Sequence, residues 1–237
     1  MTEHVKIEIA DGVMTLTLQR PEKKNALTGA MYDGLSDALK QAEAQRPRGL
    51  RKPGARRKFR RQSGSSLHRN HQQSRQATDR CRAGQCRGRR HDHGLHCDLV
   101  YLADNARLMT PFVNLALVPE AASSWLLPLR IGHARAYAMF ALGEPMEASA
   151  ALACGLANAV VPRDELRKRA HDAAIALTKR PAGSLAQTKK LMRDHQRIAA
   201  QIAQEGHLFK ERLKTPEARE AFAAFAERRP PDFTKVV

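Results

Sequence analysis

Apolar and polar residues alternate at the start of the chain. Every second residue is apolar from Val5 to Ile9 and again from Met14 to Leu18, with Asp11-Gly12 between the two runs. This alternation predicts two strands joined by a tight turn, because strand side chains point to opposite faces in turn and Asp-Gly favours hairpins. The apolar spacing from Met31 to Ala42 then predicts a helix, with Thr28 as its N-cap.

The pattern stops between Arg46 and His93. This stretch contains no Val, Ile, Met, Trp or Tyr, and Arg, Gln, Ser, Gly and His dominate it. A segment of this composition buries too little apolar area to offset the entropy that is lost on ordering. The sequence therefore predicts no packed element here.

Apolar patterning returns directly afterwards. Leu99 to Leu102 is a continuous run typical of a buried strand, and Met109 to Pro119 is expected to form a further strand and a loop. Ala121 to Leu142 has helical spacing. Pro128 is expected to break or bend this helix, because proline donates no backbone hydrogen bond.

The C-terminal third is predicted to be almost wholly helical. Ala148 to Leu156 is expected to form a short helix, and Ala159 to Val161 a short strand. Three helices should follow, with Asp164, Ser184 and Thr215 as their N-caps. We therefore divide the chain into a core, residues 1–161 with an anomalous segment at 46–94, and a helical region, residues 162–237.

The formal charge of +17 is very unevenly distributed. Arg46 to His93 holds sixteen Lys or Arg and only two acids, whereas the other 189 residues hold 25 basic and 22 acidic side chains. Without that segment the composition is that of an ordinary enzyme. A basic surface over the whole chain, as expected of a nucleic-acid-binding protein, is not indicated.

Further classes are disfavoured by what the sequence lacks. No early stretch combines a basic start, an apolar run and a cleavage site, and no apolar run approaches the roughly 20 residues of a membrane span. Four cysteines are too few for a disulfide scaffold in a chain of 237 residues. We expect a soluble, cytoplasmic protein with no membrane partner.

Five segments, in order along the chain, carry a family resemblance. Residues 20–27 read Arg-Pro-Glu-Lys-Lys-Asn-Ala-Leu, and residues 97–101 read Cys-Asp-Leu-Val-Tyr. Residues 111–124 read Pro-Phe-Val-Asn-Leu-Ala-Leu-Val-Pro-Glu-Ala-Ala-Ser-Ser. Together with residues 148–160 and 209–225, they resemble the enoyl-CoA hydratase/isomerase (crotonase) family. The third segment resembles its Δ3,Δ2-enoyl-CoA isomerase branch most.

The resemblance implies a fold, a substrate class and a set of site residues. It implies an α/β spiral of β-β-α repeats with a C-terminal α-helical region, and assembly as a homo-trimer or hexamer. It implies an acyl-CoA thioester substrate, with coenzyme A as part of that substrate and no further cofactor or metal. The CoA-binding positions that it implies are Lys23, Asn25, Ala26 and Leu27, and the acyl-pocket positions are Phe112, Leu117 and Trp125.

Glu120 is the candidate catalytic residue. Moving a 3-enoyl double bond to the 2-position requires removal of a proton from C2 and its return to C4, and one carboxylate can do both. Glu120 follows a proline and lies among apolar residues such as Leu117 and Trp125, where desolvation is expected to increase its basicity. Alone, a Pro-Glu pair more often marks an exposed first-turn glutamate. The surrounding motif favours the catalytic interpretation.

Hydratases of the family use two glutamates, and this sequence matches neither. By spacing, the first falls on Asp92, inside the anomalous segment, and the second falls on Phe112. The family's two oxyanion motifs, which supply backbone N–H groups to the thioester oxygen, are also missing. Gly88 alone falls where the second oxyanion donor is expected.

The anomalous segment has the character of a sequence translated out of frame. Read from the second base of each codon, Gln76 to His93 can become Lys-Pro-Leu-Ile-Ala-Ala-Val-Gln-Gly-Asn-Ala-Val-Gly-Val-Gly-Thr-Thr-Met. That is the strand and glycine-rich oxyanion turn that the family has at this place. We hypothesise that residues 46 to about 94 are frame-shifted.

Two other interpretations of the segment stay open. A basic arm for nucleic acid has the charge but almost no aromatic residues for stacking, and nucleic acid is not the expected partner. A zinc site has clustered candidate ligands but no paired C-x-x-C spacing. These ligands would be Cys81, Cys86, His91, His93, His96 and Cys97.

Three functions are therefore carried forward. The first is an enoyl-CoA isomerase that uses Glu120. The second is an enoyl-CoA hydratase or another crotonase reaction. The third is a catalytically inactive product of a frame-shifted gene, or a basic binding protein.

The frame-shift hypothesis predicts the gene's codons. Those for Gln76 to His93, read one base later, should encode the strand and glycine-rich turn given above, because the family's sequence would still be present in the DNA. Independent sequencing of the gene checks this. Codons that do not permit the shifted reading would end the hypothesis.

Overall fold

The computed structural model describes residues 3–23, 25–44, 79–82, 85–86 and 94–236. Within these ranges the chain is a mixed α/β protein. The strands are β1 (Val5–Ala10), β2 (Val13–Leu18), β3 (Asp79–Arg82), β4 (Gln85–Cys86), β5 (Leu99–Ala103), β6 (Arg107–Leu108), β7 (Met146–Glu147) and β8 (Ala159–Val161). The α-helices are α1 (Gly29–Ala44), α2 (Ser123–Ile131), α3 (His133–Tyr137), α4 (Ala148–Ala153), α5 (Leu166–Thr178), α6 (Ala182–Met192), α7 (His195–Arg212) and α8 (Pro216–Glu227).

The chain divides into two compact units. The first comprises residues 1–78 and 171–195, and the second comprises residues 79–170 and 196–237. Helix α5 contributes its first residues to the second unit and the remainder to the first.

In the first unit, the N-terminal hairpin and helix form as predicted. Strands β1 and β2 pair antiparallel in a register that places Val5 opposite Leu18. Asp11 and Gly12 both have positive φ angles, 52° and 75°, which is the geometry of a type I′ hairpin turn. At the start of α1, the Met31 N–H donates to Thr28 Oγ1 at 3.3 Å, so Thr28 is the cap that the sequence indicated.

The second unit holds two small sheets. In one, β5 is the middle strand and pairs parallel with both β3 and β8. In the other, β6 pairs parallel with β4 and antiparallel with β7. Strand β5 lies where the sequence predicted it, and its Val100 to Ala103 are buried.

Strand β3 is a departure from the sequence prediction. No packed element was expected between Arg46 and His93, yet the backbone of Asp79–Arg82 pairs with Leu99–Leu102. A parallel strand is normally a run of aliphatic residues, whereas β3 reads Asp-Arg-Cys-Arg. The out-of-frame reading places Ile-Ala-Ala-Val at these four positions. The rest of this segment lies mainly outside the described residues.

The core of the second unit is formed by apolar side chains from its sheets and helices. Eighteen buried residues form one cluster, to which α7 contributes Ile198. The other seventeen are Leu95, Cys97, Val100, Leu102, Ala106, Leu108, Ala122, Leu126, Leu127, Ile131, Ala136, Met139, Met146, Ala148, Ala151, Leu156 and Ala157.

The region after β5 differs from the prediction in two ways. The expected strand within Met109 to Pro119 is absent, and a 3₁₀ turn forms at Val113–Leu115 instead. Pro111 has no N–H to donate to a strand ladder, and Thr110 donates its hydroxyl to the Met139 carbonyl at 2.8 Å.

Of the break or bend expected at Pro128, the break is absent. Helix α2 passes through Pro128 and tolerates the loss of one backbone donor. It ends instead before Gly132, whose φ of 82° and ψ of 156° are not helical. Helix α3 then follows and continues as a π-helical turn over Ala138–Leu142.

The C-terminal third is helical as predicted, but the number and caps of its helices differ. Four helices follow β8 rather than three, because the chain is extended at Arg193 between α6 and α7. Ser184 lies inside α6, and Pro181 occupies the N-cap position. At this position proline makes no side-chain capping bond to the first turn. Thr215 caps α8 as expected.

Replacing Thr215 by alanine should lower the free energy of unfolding by about 1 kcal/mol. Thr215 Oγ1 accepts from the Ala218 N–H at 3.2 Å and donates to the Arg212 carbonyl at 2.7 Å, and alanine removes both bonds. Denaturant unfolding followed by the fluorescence of the single tryptophan, Trp125, measures the change. Thr215→Ser keeps the hydroxyl and should stay near wild type. Equal stability of the alanine and serine variants would contradict the assignment.

Candidate functional site

Glu120 lies in the irregular segment that leads into helix α2. The segment runs through the 3₁₀ turn Val113–Leu115 and then, without regular structure, to Glu120. The Glu120 side chain is half-buried. Its carbonyl accepts from the Ser123 N–H at 3.1 Å, at the point where α2 begins. The backbone of Glu120 is thus anchored immediately before the first turn of a helix.

Three alanines in this segment adopt a left-handed backbone. Ala116 has a φ of 54°, and the two residues after Glu120, Ala121 and Ala122, have φ angles of 63° and 58°. For a residue with a Cβ atom this conformation is less stable than a right-handed one by about 1–2 kcal/mol. Such residues persist where the surrounding contacts fix them, and they concentrate at functional sites.

Two buried side chains hold the peptide group between Ala121 and Ala122. His96 Nε2 lies 2.7 Å from the Ala121 carbonyl oxygen. A carbonyl can only accept, so Nε2 carries the proton and donates. The Ala122 N–H, on the opposite edge of the same peptide, donates to Glu205 Oε2 at 2.5 Å. We call this arrangement the peptide clamp: His96, the Ala121–Ala122 peptide and Glu205.

Glu205 also binds the first turn of α2. Its Oε1 accepts from the Ser124 N–H at 3.0 Å and from the Ser124 hydroxyl at 2.5 Å. The hydroxyl in turn accepts from Gln201 Nε2 at 2.9 Å. Burial raises the pKa of Glu205 above its usual value, and the bonds from Ser124 and Ala122 oppose that shift only in part.

Helix α7 reaches the same segment a second time. Arg212 Nε donates to the carbonyl of Ala116 at 3.1 Å, and its Nη2 donates to Glu217 Oε2 at 2.7 Å. Glu205 and Arg212 are seven residues apart and therefore lie on one face of the helix. The segment that carries Glu120 is thus held from α7 at both Ala116 and Ala122.

The predicted acyl-pocket residues lie in the same unit as Glu120. Phe112 and Leu117 are buried. The Phe112 ring lies 6.1 Å, centroid to centroid, from the ring of Phe140. Trp125 is half-buried and packs against the core cluster. The guanidinium carbon of Arg197 lies over its ring, 4.6 Å from the centroid. Their assignment to an acyl pocket stays a prediction.

The predicted CoA-binding residues lie in the first unit. Lys23 and Ala26 are exposed, and Asn25 and Leu27 are half-buried. Asn25 has a φ of 56°, and its Oδ1 accepts from the Arg20 N–H at 2.6 Å. Arg20 Nη1 also donates to the Ala26 carbonyl at 3.1 Å. These bonds fix the loop, and the CoA-binding role stays a prediction.

Other predicted residues fall outside the described ranges. They include Gly88, the oxyanion candidate, and Asp92, the hydratase position. Of the zinc candidates, His96 and Cys97 have described side chains, and both are buried. In the ranges that the structure describes, no group of three or more His, Cys, Asp or Glu is placed to hold a metal ion. Among the helices of these ranges, none combines the length and the hydropathy of a membrane span.

The sequence analysis missed Glu205, although a signal was present. Ile198, Ile202 and Glu205 recur at the spacing of one face of α7. Ile198 is buried and Ile202 packs against the core. A glutamate on the apolar face of an amphipathic helix indicates a buried carboxylate, and a buried carboxylate needs hydrogen-bond donors. The sequence alone does not identify those donors as Ala122 and Ser124.

Comparisons with known proteins agree on one family. A model of the enoyl-CoA hydratase/isomerase family matches residues 83–236. A probable enoyl-CoA hydratase from Rhodobacter capsulatus is 30% identical, over 97% of this chain and 97% of its own. The 1,2-epoxyphenylacetyl-CoA isomerase of Escherichia coli is 29% identical, over 99% of each.

A solved structure agrees as well. The crystal structure of an enoyl-CoA hydratase/isomerase from Pseudoalteromonas atlantica T6c is 30% identical and superimposes with a TM-score of 0.88, over 98% of this chain and 100% of that one. The predicted fold class, α/β with a C-terminal helical region, is confirmed by this similarity.

The raised pKa of Glu205 predicts a pH dependence of stability. Between 4.5, the usual value, and the higher folded-state pKa, the folded chain holds a proton that the unfolded chain has released. This contribution to stability is complete below pH 4.5 and is lost as the pH rises through the folded-state pKa. The unfolding free energy of wild type, relative to Glu205→Gln, should therefore fall as the pH rises across this window.

Denaturant unfolding at a series of pH values measures that difference. Glu211→Gln is the matched control, because Glu211 lies on the same helix and its side chain is 56% exposed. Its stability should follow that of wild type across the window. Parallel curves for wild type and Glu205→Gln would show that Glu205 does not titrate as inferred.

Proposed function

Because the chain belongs to the enoyl-CoA hydratase/isomerase family, we propose that it moves the double bond of a 3-enoyl-CoA to the 2-position, with Glu120 as the proton carrier. The chain is an enzyme of the hydratase/isomerase type, and the family supports a coenzyme A thioester as substrate. The specific isomerisation and the role of Glu120 are the proposal.

The proposed reaction needs one carboxylate and an acceptor for negative charge. Glu120 removes a proton from C2, and the electrons of that C–H bond delocalise onto the thioester oxygen as an enolate. The protonated Glu120 then returns the proton to C4, the charge collapses, and the double bond lies between C2 and C3. No atom is gained or lost, so neither a redox partner nor a water molecule enters the balance.

The setting of Glu120 is the observation that carries the proposal. The side chain is half-buried, next to two buried left-handed alanines, and its backbone is fixed through Ser123 and the peptide clamp. A carrier that must reach both C2 and C4 benefits from a fixed position near both atoms. The Escherichia coli relative is also named an isomerase, but of 1,2-epoxyphenylacetyl-CoA, so its name supports a coenzyme A thioester as substrate and not the double-bond shift itself.

The remaining predicted roles complete the proposal. Lys23, Asn25, Ala26 and Leu27 would contact the coenzyme A part, and Phe112, Leu117 and Trp125 would line the acyl chain. Backbone N–H groups for the enolate oxygen would come from the region of Gly88. A trimer or a pair of trimers is the proposed assembly.

Hydration is the second candidate, because the Rhodobacter capsulatus relative is named a probable enoyl-CoA hydratase. Adding water across a double bond calls for two acid–base groups in the family's arrangement. At the position of one of them this chain has Phe112, which is buried against Phe140 and cannot transfer a proton. Side-by-side assays of 3-enoyl-CoA isomerisation and 2-enoyl-CoA hydration separate the two candidates.

The sequence as printed is expected to be poorly active, because it lacks both oxyanion motifs. The test of Glu120 therefore uses a chain in which the family's strand and oxyanion loops replace residues 46–94. In that chain, Glu120→Gln should lower kcat for 3-enoyl-CoA by about a thousandfold or more with KM nearly unchanged. Glutamine keeps the size of the side chain but removes the base.

Glu144→Gln serves as the control for that experiment. Glu144 is exposed in the same unit, and its replacement makes the same change of charge. It should leave kcat near the parent value. If Glu120→Gln kept more than about a tenth of the parent kcat, another group would carry the proton.

A further inference from the structure

The peptide clamp acts on a single rigid group. The peptide between Ala121 and Ala122 is planar, and in its trans form the carbonyl and the N–H point in opposite directions. His96, 0% exposed, donates to the carbonyl edge, and Glu205, 4% exposed, accepts from the N–H edge. Rotation of this peptide in either direction breaks both hydrogen bonds together.

The residues on either side of this peptide have a strained backbone conformation. Ala121 and Ala122 both hold positive φ angles, and no glycine is present to make this conformation inexpensive. Rotating the peptide changes ψ of Ala121 and φ of Ala122, so it is the direct way to move Ala122 toward ordinary backbone angles. Glu120 directly precedes Ala121, so any rotation about ψ of Ala121 that φ of Ala122 does not offset turns the backbone of Glu120 relative to helix α2.

We propose that Glu205 is a positioning residue for Glu120, which acts by holding the Ala121–Ala122 peptide against His96. The inference rests on the proposed role of Glu120 as proton carrier. Glu205 does not touch the substrate in this proposal. Its carboxylate fixes the direction in which the Glu120 side chain leaves the backbone, and hence the distance of that side chain from C2 and C4.

The acceptor chemistry explains why glutamate serves at this position. Two carboxylate oxygens accept three donors, namely the N–H groups of Ala122 and Ser124 and the Ser124 hydroxyl. Glutamine has the same shape, but one of the two oxygens is replaced by an NH₂ group. That group would point at the N–H of Ala122 or of Ser124 and could not accept from it. Hydrogen bonds to an ionised group are stronger than bonds between neutral groups. Glu205→Gln should therefore loosen the clamp without leaving a cavity.

The first test measures the clamp without using activity. Amide hydrogen exchange, resolved by NMR at Ala122 and Ser124, is recorded on the full-length chain as printed for wild type, Glu205→Gln and Glu211→Gln. Exchange at both amides should rise by about tenfold in Glu205→Gln and stay at the wild-type rate in Glu211→Gln. The emission of Trp125, which follows Ser124, should change in the same variant alone.

A milder variant covers the case in which Glu205→Gln does not fold. Ser124→Ala removes one of the three bonds to the carboxylate and leaves the backbone bonds in place. It should raise exchange at the same amides by a few-fold. Wild-type exchange at Ala122 in every variant that folds would overturn the clamp, whatever the role of Glu120.

The second test separates positioning from general stability. In the chain with restored oxyanion loops, Glu205→Gln should lower kcat by about 10- to 100-fold with KM within about threefold. In the Glu120→Gln background the same change should lower kcat no further, because the group that it positions is already gone. If Glu205 were purely structural, its replacement would lower kcat by the same factor with and without Glu120→Gln, and that result would overturn the proposal.

The two proposals can fail independently. If Glu120→Gln stays active while Ala122 exchange rises in Glu205→Gln, the clamp stands and the role of Glu120 falls. If Glu120→Gln is inactive and Glu205→Gln has normal kcat and normal exchange, the role of Glu120 stands and the positioning role falls.

Discussion

The orientation of one peptide group determines the shape of the candidate site. The Ala121–Ala122 peptide is held by a buried histidine at one edge and a buried glutamate at the other. Two alanines in the left-handed region cost about 2–4 kcal/mol together. Burial of the Glu205 carboxylate adds a further cost, visible as its raised pKa. Bonds to a charged group, each worth about 1.5–3 kcal/mol, offset these costs only while all of them are made.

How far the sequence predicts the molecule depends on the range of the interactions. The hairpin of β1 and β2, the Thr28 and Thr215 caps and strand β5 follow from neighbouring residues, and all were predicted. The five segments that resemble the family also identified the family and the fold class correctly. The break at Gly132 was missed because proline is the stronger local signal, although its effect here is a single lost donor. Glu205 was missed because its partners lie about 80 residues away in the sequence.

Sequence and structure agree least in the anomalous segment, residues 46–94. The backbone of β3 pairs with β5 in parallel. The residues of β3, Asp-Arg-Cys-Arg, do not predict a strand at this place. Strand pairing uses backbone groups, which every residue has, whereas filling the space beside β5 depends on side chains. The match to the family model begins at residue 83, so most of this segment lies before the part of the chain that the model matches. An out-of-frame tract accounts for both facts, because it changes the side chains and still leaves backbone groups that can pair with β5.

The contact between Ala122 and Glu205 joins residues 83 positions apart. During translation the loop that carries Glu120 therefore leaves the ribosome well before its acceptor exists. Until helix α7 is made and docks, nothing on the nascent chain can accept from the Ala122 N–H in the way that Glu205 does. A premature stop codon before position 205 would thus leave every residue of the Glu120 loop intact and still yield a loop without its final geometry.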